Sequence, residues 1–170
     1  MGSPLGPLLS DIFMSSLELG ILRDAINSFC FYRRYVDDIF IILDDQADLT
    51  PLLDIFNCAH HSIQFTAELE QDSSFNFLDV KLSKRPDGSL KRSVHRKSTW
   101  TGQYTNFHSF VPLRQKRTLV QTLARRARRI CSLDALDDEL SLIARVLEEN
   151  GYPERFVVRN IAVRKAHGVV

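Results

Sequence analysis

The chain lacks any run of the roughly 18 apolar residues that a membrane-spanning helix needs, and its first residues carry no pattern of a cleavable secretion signal. Cysteine is scarce. The three present, Cys30, Cys58 and Cys131, are scattered, which excludes a disulfide framework and a Cys-x-x-Cys metal site. These absences predict a soluble intracellular protein, nuclear or cytoplasmic, with reduced thiols and no membrane partner. Glycine and proline number only 7 and 6, and no internal repeat or low-complexity tract is present. Charge of one sign is missing by region. Residues 1 to 79 hold three bases against thirteen acids, net −10, whereas residues 80 to 130 hold fourteen Lys and Arg with Asp87 as the one acid, net +13. The remainder is net −2, so a chain total of +1 hides an acidic half joined to a basic half. That asymmetry suggests a grip on a polyanion beside something that needs carboxylates; an intramolecular charge match is the plainer alternative.

What is present suffices for a globular fold. At 170 residues, 44% apolar and 25% charged, the chain can bury one real core, with or without a smaller appendage. After the Gly/Pro stretch "GSPLGP" at 2 to 7, Leu8, Leu9, Ile12, Phe13, Leu17 and Ile21 recur at helical spacing and predict a helix to about Leu22. Residues 31 to 36 and 39 to 43 are rich in aromatic and β-branched side chains and predict a hairpin turned at Asp37 and Asp38. A helix over Leu49 to Ala59 follows, started at Thr50 and Pro51. The alternation Ile63, Phe65, Ala67, Leu69 then predicts a strand over 62 to 69. A second hairpin is expected over 77 to 95, turned at Pro86, Asp87 and Gly88.

Beyond Thr99 the pattern changes. Residues 101 to 116 read as loop, and Leu119, Leu123, Ala127 and Ile130 predict a helix whose other faces carry Lys116, Arg117, Arg125, Arg126, Arg128 and Arg129. Leu136, Leu140, Ile143, Ala144 and Leu147 predict another, stopped by Asn150-Gly151, with Pro153 placed to start a third. The predicted class is α+β, an antiparallel sheet with flanking helices over 1–112 followed by a helical region over 113–170.

Chemistry concentrates at Asp37 and Asp38. Two adjacent carboxylates repel unless a cation or water comes between them, and their oxygen-only donor set suits Mg²⁺ or Mn²⁺, which keeps several waters and shares substrate phosphates. Carboxylate-held metal pairs perform in-line phosphoryl transfer, so acids beside a basic surface point to nucleotidyl transfer or nucleic-acid cleavage. Asp-Asp is also ordinary turn chemistry. Other groupings are weaker. Cys58, His60 and His61 at a helix end read as solvated or core-lining rather than a zinc site; Ser3, His108 and Ser109 lack a third catalytic group. Trp100 and Tyr104 could stack on bases or pack internally, and "ARRARRI" reads as a backbone-binding or solvated helix face before a nuclear-localisation patch.

On these residues a resemblance becomes specific. "YRRYVDDIF" resembles the Tyr-x-Asp-Asp signature of reverse transcriptases, and "MGSPLGPLLSDIFMSSLE" resembles the Gly/Pro loop and helix that precede it in their palm. "IQFTAELEQDSSFNFLDVKLSKRPDGSLKRSVHRKSTWTGQYTNFHSFVP", with "NGYP" later, is similar to Penelope-like retroelements. The resemblance implies a partial reverse-transcriptase palm through residue 112 and a thumb from 113. Asp37 and Asp38 would be catalytic metal ligands, and Tyr35 and Val36 would lie near the primer end. Gly2, Ser3 and Pro4 would border the incoming deoxynucleoside triphosphate and the template base. Arg96 and Lys97 of "HRKST" would support the primer, and Lys116, Arg117, Arg125, Arg126, Arg128 and Arg129 would follow the backbone of the duplex of RNA template and DNA primer.

The same resemblance implies a third metal-binding Asp, on a strand upstream of the Gly/Pro loop, and a fingers region. The chain contains neither, and Gln64 stands where the family usually has a lysine. A two-ion site therefore needs that upstream Asp, and the chain alone is expected to polymerise poorly. The alternative expectation is a non-catalytic nucleic-acid-binding or vestigial protein of the same descent.

Overall fold

The structure is a computed structural model that describes residues 5–44 and 47–162. Gly2, Ser3 and Pro4 lie outside the described residues. The chain is mixed helix and strand, with small antiparallel sheets. It divides into two compact units, residues 1–69 and 70–170.

The first unit opens with helix α1 (Leu5–Leu19) and the short α2 (Arg23–Asn27). The periodicity through Ile21 had predicted one longer helix, but Gly20 to Leu22 form a turn that buries Leu22. Strands β1 (Phe31–Tyr35) and β2 (Asp38–Ile42) pair as an antiparallel hairpin in the register Tyr35 opposite Asp38 and Phe31 opposite Ile42. The two-residue turn is Val36-Asp37, one residue earlier than the expected Asp37-Asp38, so Asp38 opens the second strand. Helix α3 (Leu49–Cys58) begins where expected, with the Asp48 carboxylate accepting from the Thr50 backbone N–H at 3.0 Å. Phe56 of α3 is buried, with ring centroids 6.2 Å from Phe29 and 5.3 Å from Phe65, and this aromatic row is the centre of the unit.

The strand expected over 62–69 does not form. Its alternation is real, with Ile63 and Phe65 half-buried, but no strand pairs with it among the described residues. The Asn57 side chain acts in a strand's place: its Oδ1 accepts from Phe65 N–H at 2.6 Å and its Nδ2 donates to Phe65 C=O at 3.3 Å.

The second unit holds a three-stranded antiparallel sheet, β3 (Ser74–Phe77), β4 (Val80–Lys84) and β5 (Leu90–Val94), in that order. The β4–β5 hairpin turns through Gly88, whose φ of 82° is costly for any residue with a Cβ. Strand β3, in which only Phe77 had been foreseen, joins β4 through the two-residue turn Leu78-Asp79. Three helices complete the unit, α4 (Leu113–Ile130), α5 (Leu133–Glu149) and α6 (Glu154–Ala162). Helix α4 starts at Leu113, directly after Pro112 and earlier than the apolar period from Leu119 suggested.

Amphipathic spacing explains how these helices pack. Lys116, Val120, Ala124 and Ala127 make the buried stripe of α4, and Ala135, Glu139, Ile143, Val146 and Leu147 that of α5. Val120, Ala127, Ile143, Leu147, Tyr152 and Val157 form one cluster, with Tyr104, Phe107 and Phe156 packed on it. The sheet joins the bundle through β5, where Ser132 N–H donates to Arg92 C=O at 2.9 Å and Ser132 Oγ accepts from Arg92 N–H at 3.2 Å.

Candidate functional site

The hairpin of the first unit lifts its acids to a tip. Alternation puts Phe31, Arg33, Tyr35, Asp38, Phe40 and Ile42 on one face and Tyr32, Arg34, Ile39 and Ile41 on the other. The second face is anchored to α1. The Arg34 guanidinium donates to both carboxylate oxygens of Glu18, at 2.6 and 3.2 Å, and to Ser15 Oγ at 3.2 Å, and pairs with Asp11 at 3.0 Å. Tyr32 donates its hydroxyl proton to Glu18 at 2.7 Å; burial and that neighbouring carboxylate push the phenol's pKa up.

From this mount Arg34 also donates to the carbonyl oxygen of Val36 at 3.1 Å. Val36 is the first turn residue, and its φ of 58° lies in the left-handed region that a β-branched side chain rarely enters. Such strain persists only where neighbours over-determine it, and the Arg34 bond is one such neighbour. The turn leaves Tyr35 and Val36 each 61% exposed. Asp37 and Asp38 are exposed as well, and neither makes an ion pair or side-chain hydrogen bond among the described residues.

In donor type this tip suits a hard divalent cation, since it offers carboxylate oxygens on a stiff support. In number it offers two. Among the described residues, no group of three or more His, Cys, Asp or Glu side chains comes together as a metal site. Cys58, His60 and His61 are therefore no such cluster; the His60 ring is instead stacked edge-on to Phe13, at 5.1 Å.

In the second unit, the basic residues separate into two sets. Arg96 grips Glu139 with both terminal nitrogens, and its guanidinium covers the Trp100 ring at 4.7 Å. Lys116 is 7% exposed, and its ammonium donates to Ser109 C=O at 2.7 Å. Arg128 donates to Ile161 C=O at 2.5 Å at the end of α6, and Arg126 pairs with Asp79 at 2.9 Å. Arg96, Lys116 and Arg128 are thus committed to contacts within the unit, and Arg126 to an exposed pair. Lys97, Arg117, Arg125 and Arg129 are exposed and carry no ion pair among the described residues.

Sequence reasoning had missed Arg114, which is also exposed on α4 and unpaired among the described residues. The signal was Pro112, a residue that commonly precedes or opens a helix. From 113 to 130 the chain holds seven bases and no acid, and those left exposed and unpaired among the described residues stand in two groups, Arg114 with Arg117 and Arg125 with Arg129. Of the aromatic candidates for stacking, Trp100 is covered by Arg96, and Tyr104 packs against the core cluster.

Helices α5 and α6 meet through residues 150–153. Gly151 adopts a φ of 82°, and an added Cβ there would stand 3.2 Å from the His108 ring. The Asn150 side chain donates to Gly102 C=O at 2.9 Å and accepts from Tyr104 N–H at 3.0 Å, which binds the loop before α4 to this turn. Two helices joined by a four-residue, glycine-containing turn are the arrangement of helix-turn-helix motifs, whose second helix commonly enters a DNA groove. The face that α6 leaves exposed carries Arg155, Val158 and Arg159.

The comparison with known families agrees with this geometry. A family model described as an animal helix-turn-helix domain matches residues 103–162, which span the loop before α4 and all three helices. No curated protein and no solved structure matches the chain. Among the described residues, no helix is long and apolar enough to cross a membrane.

Proposed function

We propose that this chain is the hairpin-and-thumb portion of an RNA-directed DNA polymerase of the Penelope-like type. In this reading the β1–β2 tip helps hold the metal ions of nucleotide addition, and the second unit grips the template-primer duplex. The observation that carries the proposal is the tip itself: two carboxylates, unpaired among the described residues, on a turn that tolerates a strained valine and is braced from behind by Arg34. A turn kept in that state for structure alone would gain from a glycine or asparagine at position 36 and from a base beside the acids.

Mg²⁺ or Mn²⁺ held there would activate the attacking primer hydroxyl and neutralise charge on the departing phosphates of a deoxynucleoside triphosphate. Asp37 and Asp38 would supply two of its oxygen ligands. Arg34 would fix where they stand, and the exposed Tyr35 would border the primer end. In the second unit, Lys97, Arg114, Arg117, Arg125 and Arg129 would neutralise backbone phosphates without reading sequence.

Metal binding at the hairpin tests the proposal directly. Mn²⁺ should broaden the backbone amide resonances of residues 36 to 39, Mg²⁺ should compete, and Asp37→Asn should abolish the effect. Resonances indifferent to Mn²⁺ would refute the metal role. The family match favours a second reading, because it covers α4–α6 and not the hairpin: a nucleic-acid-binding protein without polymerase chemistry. Steeply salt-dependent duplex binding, with no metal effect at the hairpin, would favour that reading.

A further inference from the structure

One large aromatic side chain of the second unit has no packing role among the described residues. Phe110 is fully exposed, in the loop that leads into α4. Its neighbours in that loop are held firmly: Phe107 N–H donates to Asn150 C=O at 3.0 Å, His108 N–H to Asn106 Oδ1 at 2.8 Å, and Ser109 Oγ to Asn106 C=O at 2.7 Å.

The strongest tie is the least economical. Lys116 is buried against the Phe107 ring, 5.3 Å from its centroid, and directs its ammonium at the carbonyl of Ser109, the residue next to Phe110. Burying a lysine carries a desolvation cost that one neutral carbonyl offsets only in part. The rest of the buried stripe it belongs to, Val120, Ala124 and Ala127, is apolar. The bond fixes the backbone on one side of Phe110, and Pro112 and the start of α4 fix it on the other. A water-exposed aromatic ring on an ordered base has already lost much of the freedom it would give up on binding.

We infer that Phe110 is a base-stacking contact for unpaired nucleotides, with the exposed Arg114 and Arg117 of α4's first turns holding the adjoining phosphates. The inference rests on the nucleic-acid part of the reading above and not on its polymerase part. Charge selects the occupant: the helix that follows Phe110 has no acid and leaves Arg114, Arg117, Arg125 and Arg129 exposed and unpaired among the described residues, so a polyanion is favoured. Among polyanions, one that carries planar rings uses the phenyl group as well as the arginines.

The experiment compares a fluorescent single-stranded oligonucleotide with heparin, a polyanion that has no bases. Phe110→Ala should weaken oligonucleotide binding about ten-fold, within the range for loss of one base stack. It should leave heparin binding and the salt dependence of both unchanged, because no charge is removed. Phe110→Trp should restore the oligonucleotide affinity. Arg114→Ala should behave differently, weakening both ligands and lowering the salt slope by about one. Full exposure of Phe110 makes misfolding of these variants no concern, and matching circular dichroism spectra check it. Unchanged oligonucleotide affinity in Phe110→Ala, or an equal loss on heparin, would overturn the inference and leave the cationic grip standing. Failure of the unaltered chain to bind the oligonucleotide would overturn both.

Discussion

Arg96 gives the sharpest separation between a nucleic-acid contact and a structural strut. The resemblance assigns it to the primer; in the fold its two terminal nitrogens engage both carboxylate oxygens of Glu139, whose side chain is only 8% exposed. Arg96→Met would leave that carboxylate buried without its partner, an error that costs about 3–5 kcal/mol. The guanidinium also covers Trp100, which adds about 0.5–1 kcal/mol. For a unit of this size, each kcal/mol moves the melting temperature by about 4–8 °C, so the variant should melt at least about 12 °C lower. Urea unfolding followed by the helical circular dichroism signal should show a lower midpoint with an unchanged slope. The double variant Arg96→Met with Glu139→Leu should recover most of the loss, since an apolar pair leaves no stranded charge. A loss under about 1 kcal/mol in Arg96→Met, accompanied by a salt slope for duplex binding shallower by about one, would refute the reasoning and return Arg96 to the nucleic acid.

Two further outcomes follow from the local chemistry. Val36→Gly removes left-handed strain of about 1–3 kcal/mol against a glycine entropy cost of about 0.5–1 kcal/mol. Amide exchange in β1 and β2 should therefore slow, and faster exchange would contradict the strained turn. Asp134 is held down to a pKa of about 2 by the Arg85 guanidinium, at 2.8 Å, and then by the Ser132 hydroxyl. A carboxyl depressed in the folded state stabilises above its ordinary value near 3.8 and loses that contribution as pH falls toward about 2. Asp134→Asn should flatten the dependence of the unfolding midpoint on pH across that window, and an unchanged slope would exclude Asp134 from acid unfolding.

How far the sequence could be read depended on what each element needs from elsewhere. Helices α3, α4 and α5 were legible because their apolar stripes are local, and the stop at Gly151 was legible because only a left-handed residue fits it. The β1–β2 hairpin was legible, its register was not: Asp-Asp is far better turn chemistry than Val-Asp, and the turn formed on Val36 all the same. Residues 62–69 alternate as a strand does, but a strand needs a partner, and Asn57 supplies two hydrogen bonds instead of a ladder. Charged residues were the hardest to place. Nothing in their spacing tells that Lys116 and Arg96 turn inward while Arg117 and Lys97 stay in water, because that depends on Ser109 and Glu139, distant in sequence or on another element. The tip acids were legible as a pair, whereas the Arg34 bond to Val36 depends on Asp11 and Glu18 lying along one face of α1.

The chain contains two turns of one design. Tyr35-Val36-Asp37 and Phe77-Leu78-Asp79 each end a strand on an aromatic residue, pass through an aliphatic one at φ 58° and 53°, and present an aspartate. Asp79 is tied to Arg126 in an exposed pair, so a substitution there costs the fold about 0.2–1 kcal/mol. Asp37 and Asp38 are tied to nothing among the described residues, so the fold loses little when they change. Natural variation at the two turns is therefore filtered differently. Drift at Asp79 meets a small cost in folding, whereas Asp38, outside the two-residue turn and tied to nothing among the described residues, is the position whose persistence across descendants of this chain would report selection for chemistry.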